Sequence, residues 1–105
     1  MLHPKSKYDF FVTKPGFIEN RHGEFFHLTD RCWLVLSHAA VAPISIHDVE
    51  NLLNPALEQQ DAKFEVQLDQ RAVEYIVSTT NRVLKAAESA YRLSARGGSF
   101  SVHSR

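Results

Sequence analysis

The chain has 105 residues, 44% hydrophobic and 23% charged, and its 12 basic side chains balance its 12 acidic ones. That length supports one hydrophobic core and is short for two, so a single domain over 1–105 is expected, and the composition excludes a disordered or strongly polyionic chain. No stretch reaches the roughly 18 consecutive apolar residues of a membrane span, and a lone cysteine, Cys32, excludes an internal disulfide.

The Met-Leu-His-Pro-Lys start lacks the apolar run of a signal peptide, so a cytoplasmic location is expected. From residue 8 to residue 29 the chain is rich in aromatics and reads as strand. Two β-prone runs, Tyr8 to Thr13 and Phe17 to Glu19, flank Lys14-Pro15-Gly16, where Pro then Gly suits the two corners of a type II turn. A third run, Glu24 to Thr29, follows Asn20-Arg21-His22-Gly23, whose Gly can close a hairpin loop. Neighbouring aromatics such as Phe10-Phe11 and Phe25-Phe26 must point to opposite faces of the sheet, so one face packs on helices and the other is covered elsewhere or partly exposed.

Thr29 or Asp30 can cap a helix, and Arg31 to Ala42 then runs apolar without a breaker until Pro43; a buried strand through Cys32 to Ser37 is the competing reading. Ser45 with Asp48 three residues on marks another helix start, with Ile46, Val49, Leu52 and Leu53 at helical spacing. Pro55 ends that helix near Leu53 and opens another, capped by Asn54. Helices are thus expected over 30–62. Lys63 to Leu68 alternates like a short strand or connector, and Asp69 caps a final long helix over 69–96. Gly97-Gly98 stops it, leaving 97–105 as a flexible tail. The expected fold is α+β: a small N-terminal antiparallel hairpin or sheet packed on three to four helices, the long one C-terminal.

At 100° per residue, Val73, Ile76, Val77, Thr80, Val83, Leu84, Ala87 and Tyr91 fall on one stripe of that helix, while Tyr75 and Leu93 lie on a separate flank. A helix apolar over more than half its circumference needs two neighbours. The stripe is therefore the expected partner or dimer interface, with Tyr75 and Leu93 as a secondary one. Acids gather before the helix midpoint (Asp69, Glu74) and bases after it (Arg82, Lys85, Arg92, Arg96), so two antiparallel copies would place opposite charges together. A lone monomer, with the helix sandwiched between sheet and helices, satisfies the same surfaces. On the interface reading, Leu84→Asp abolishes self-association or partner capture while leaving much of the helix content.

Reactive chemistry finds little purchase. His27, Cys32 and His38 are five and six residues apart, so neither pair shares a helical face as an i, i+4 metal pair does, and the four glycines form no phosphate loop. No cofactor and no catalytic residue is expected; a small enzyme or metal-binding protein using Cys32 and the histidines is the remotest reading. The segment VAPISIHDVENLLNPALEQQ, Val41 to Gln60, resembles the helix-turn-helix of LuxR-type regulators at Ile44-Ser45, Val49, Asn51 to Leu53 and Ala56-Leu57. That resemblance implies a DNA-binding transcription regulator. The segment departs from the family in Pro43 for the usual Gly and Asp48 for the usual Thr. Its reading helix carries Asp48, Glu50 and Glu58 and no base, which opposes phosphate binding. The first expectation is therefore a non-enzymatic regulator acting by protein–protein binding, a homodimer that inhibits or sequesters a partner, such as an antiactivator of a transcription regulator.

Overall fold

Pro15 and Gly16 reverse the chain as their types demand: Gly16 sits at φ +85°, the left-handed corner of a type II turn, and Lys14 pairs with Phe17 across it. A computed structural model describes residues 7–54 and 66–105. The turn joins β1 (Phe10–Lys14) to β2 (Phe17–Asn20). Asn20 builds the next reversal, its Oδ1 accepting from the backbone N–H of His22 (2.9 Å) and Glu24 (3.0 Å) before β3 (Phe25–His27). β1, β2 and β3 form an antiparallel meander in that order. Phe10 and Ile18 are buried on its inner face, and Phe25 stands half exposed on the outer one.

The helix α1 (Asp30–Ala39) follows, with Thr29 at the cap position and its carbonyl accepting from Trp33 N–H at 2.8 Å. Residues 32–37 are therefore helix and not strand. Cys32, Val35, Leu36 and Ala39 make the buried stripe at three- and four-residue spacing, and Trp33 Nε1 donates to the Phe17 carbonyl (3.0 Å), fastening α1 to the sheet. A two-residue strand, β4 (Ile44–Ser45), then leads into α2 (Ile46–Leu53). Ser45 caps α2 as its hydroxyl accepts from Asp48 N–H at 2.9 Å, and the helix ends at Leu53, just ahead of Pro55. The further helix expected from Asn54-Pro55 and the first part of the Lys63–Leu68 run lie outside the described residues; Val66 to Leu68 are neither helix nor strand.

Asp69 starts α3 (Gln70–Ala86), its carboxylate accepting from Ala72 N–H at 2.8 Å. Here the expected architecture is corrected. The long helix lies in the middle of the fold, not at its C-terminal end, and it stops some ten residues early. Glu88 takes φ +61°, and the N–H groups of Glu88 and Ser89 return to the carbonyls of Lys85 (3.0 Å) and Leu84 (2.9 Å). That is a Schellman cap with glutamate where glycine is usual. The chain beyond it forms β5 (Tyr91–Arg96) and β6 (Ser99–Ser104), so 97–105 is not a flexible tail. Gly97 (φ +59°) and Gly98 (φ +79°) are the two corners of a tight hairpin between them, as a type I′ turn requires.

β4, β6 and β5 form a second antiparallel sheet in that spatial order. Its inner face contributes Leu93 and Phe100, both fully buried, to the core that Cys32, Val35 and Leu36 of α1 share with Ile76 and Leu84 of α3. Burial of each large side chain supplies about 1.5–3 kcal/mol. This return explains the break in the helix: a strand hairpin delivers Leu93 and Phe100 to the core, and a continued rod would carry Leu93 away from it. No helix among the described residues is long and apolar enough to cross a membrane.

Candidate functional site

The expected interface residues divide sharply. Ile76, Thr80 and Leu84 are wholly buried, and Ala87 nearly so, all within the chain's own core. Val73, Val77 and Val83 are partly covered. Tyr91 is not on the helix: it opens β5 and packs edge-on against Tyr8 at 4.9 Å. Leu93 is likewise a strand residue and fully buried, while Tyr75 is 53% exposed on α3.

Three of these, Val73, Val77 and Leu93, meet in a different feature. A groove of about 710 Å³ runs between the first half of α3 and β5. Ile46, Leu68, Val73, Val77, Leu93 and Ala95 give it an apolar lining; Gln70 and Glu74 stand on the helical wall, and Arg92 and Arg96 on the strand wall.

The floor of this groove is a sheet edge. The Arg105 N–H donates to the Ala90 carbonyl (2.9 Å), which sets the ladder so that Arg92, Ser94 and Arg96 exchange bonds with β6. Tyr91, Leu93 and Ala95 then turn their backbone groups the other way, toward α3. The Tyr91 N–H donates to Ser89 Oγ (3.1 Å), itself held by Asp9 Oδ1 at 2.6 Å. Leu93 is paired twice by the side-chain amide of Asn81, whose Oδ1 accepts from its N–H (2.7 Å) and whose Nδ2 donates to its carbonyl (2.9 Å). At Ala95 the helix has diverged, and no described residue takes its N–H or C=O. Among the described residues, the edge is closed at both backbone groups of Leu93 and at the N–H of Tyr91, and open at both groups of Ala95, inside the groove.

The other face of this sheet is uniformly polar. Ser45, Arg92, Ser94, Arg96, Ser99, Ser101 and His103 share it by register, and Ser94 Oγ lies 2.6 Å from His103 Nε2. No described carboxylate forms an ion pair with Arg92 or Arg96; the ion pair found among the described residues joins His47 to Glu50 at 3.9 Å. The guanidinium groups are free to meet an anion.

Elsewhere the residues singled out for chemistry are dispersed. Cys32 is buried with its Sγ 3.9 Å from the Ile76 carbonyl, and His22, His27, His38 and His47 are exposed. No group of three metal-ligating side chains occurs among the described residues. In the segment with helix-turn-helix resemblance, residues 55–60 lie outside the described residues, Ile44 and Ser45 form β4 and pair with Phe100 and Ser99, and Glu50 accepts from Leu68 N–H at 2.7 Å. The roles of Asn81 and Ala95 were not expected from the sequence, and Arg92 and Arg96 were expected on the long helix rather than on one face of a strand, although one signal was present. Tyr-Arg-Leu-Ser-Ala-Arg and Ser-Phe-Ser-Val-His alternate apolar and polar about Gly-Gly, the pattern of a hairpin with a two-residue turn.

No protein-family model matches the chain, and neither a curated protein nor a solved structure matches it significantly.

Proposed function

We propose that this protein is a non-enzymatic binding protein that takes an extended segment of a partner protein into the groove between α3 and β5. The observation that carries the reading is the open backbone pair at Ala95 beside apolar Val73 and Val77. An added strand satisfies such an edge while its side chains fill the neighbouring pocket, which is how sheet edges capture peptides. The partner is a different protein rather than a second copy packed along α3, because Ile76, Thr80 and Leu84 of that seam already serve the core. In this role the chain masks a segment that its partner presents elsewhere, the action of an inhibitor or, against a transcription regulator, of an antiactivator.

The test is selection from a displayed library of random peptides, followed by mapping of the selected binders on the isotope-labelled chain by NMR. Binders that shift Val73, Val77 and Ala95 and are lost in Val77→Trp, which fills the groove, support the reading. Binders that map elsewhere, or an absence of binders, refute it.

A further inference from the structure

Resting on that reading, we infer that the groove selects an extended segment in which an apolar residue is flanked on both sides by acidic ones. Residues directly opposite each other in a sheet project to the same face, and their neighbours project to the other. A partner residue that exchanges both backbone hydrogen bonds with Ala95 therefore places its side chain on the inner face, between Val73 and Val77. The residues before and after it emerge on the outer face, directly opposite Ser94 and Arg96, with Arg92 diagonal to the one opposite Ser94.

Charge then fixes their type. The outer face carries Arg92 and Arg96 without an ion pair to any described carboxylate, and the remaining outward positions of β4, β5 and β6 are hydroxyls and His103. Opposite-charge pairs across strands are favourable, and like charges directly opposed are not. On the helical wall Glu74 accepts from Gln70 Nε2 (3.2 Å), so an acidic side chain is repelled from that side and directed to the arginines. Asn81 blocks pairing beyond Ala95 at Leu93, which confines recognition to a short stretch. The occupant is thus an acidic, apolar, acidic triplet in extended backbone.

The experiment titrates the full labelled chain with four synthetic peptides in common Gly-Ser flanks: Asp-Val-Asp, Lys-Val-Lys, Asp-Ser-Asp, and Asp-Val-Asp with the central valine N-methylated. The expected result is that the first shifts the Ala95 amide and binds at least about tenfold more tightly than the others, and that Arg92→Glu with Arg96→Glu reverses the preference to Lys-Val-Lys. Both arginines are exposed, and a thermal melt of the double variant verifies that it is folded. Equal binding of the Asp and Lys peptides, or no loss on N-methylation, overturns the inference while leaving library-selected binders at the groove intact. If those binders are missing as well, the underlying reading has failed with it.

Discussion

The side-chain amide of Asn81 stands to Leu93 as a neighbouring strand would, donating to its carbonyl at 2.9 Å and accepting from its N–H at 2.7 Å. Asn54 repeats the device at Val66, with Oδ1 accepting from the N–H at 2.9 Å and Nδ2 donating to the carbonyl at 3.1 Å. In each case a single amide satisfies a backbone pair that no strand reaches. At β5 the same contact also sets where the open edge begins.

Replacing Asn81 with Leu removes both bonds and leaves the Leu93 backbone facing an apolar side chain. Stability is expected to fall by about 1–3 kcal/mol, the cost of stranding buried polar groups. Urea unfolding measures the loss, and hydrogen exchange at the Leu93 amide locates it. An amide that stays fully protected in the variant contradicts the role given to Asn81.

Leu84→Asp separates core from interface. Leu84 is fully buried, so the substitution creates a cavity and strands a charge in it, and the two effects together exceed about 4 kcal/mol. Against a total stability of about 5–15 kcal/mol, circular dichroism should show extensive loss of structure. Helix content preserved beside abolished self-association would restore the dimer seam. Tyr75→Ser, at the exposed flank of α3, is expected to change stability by under about 0.5 kcal/mol.

Thr80 has a fully buried hydroxyl without a hydrogen-bond partner among the described residues. Valine has nearly the same shape and no polar atom to desolvate. Thr80→Val is expected to raise stability by about 1 kcal/mol, read as a higher urea midpoint at constant slope. A lower midpoint would show that the hydroxyl is satisfied in solution.

At Glu88 the Schellman cap holds a side-chain-bearing residue at φ +61°. The left-handed region costs an L-residue about 1–2 kcal/mol, and glycine avoids that at the expense of a more flexible unfolded chain. Glu88→Gly is therefore expected to stabilise by about 0.5–1 kcal/mol, visible as a raised thermal midpoint. Destabilisation would mean that the glutamate side chain contributes more than its backbone conformation costs.

Local chemistry was legible in the residues themselves. The Pro15-Gly16 turn, the caps at Ser45 and Asp69, the end of α2 ahead of Pro55 and the N-terminal meander each depend on a few neighbours whose geometry is set by a fixed φ, a hydroxyl or carboxylate acceptor, or a missing N–H. The stripe of Ile76, Thr80 and Leu84 was also visible, as helical period, but periodicity reports only that a face is covered and not by what. Tertiary structure decided that the cover is the chain's own α1 and second sheet. It likewise decided between helix and hairpin after Ala86, where Lys85-Ala86-Ala87-Glu88 favours helix and Tyr91 to Ser104 alternates as strand. The hairpin prevails because only it brings Leu93 and Phe100 back onto α1 and α3, a gain in buried apolar surface that no single segment contains. The groove beside Ala95 follows from the same choice, since it exists only where α3 diverges from a strand that a continued helix would have replaced.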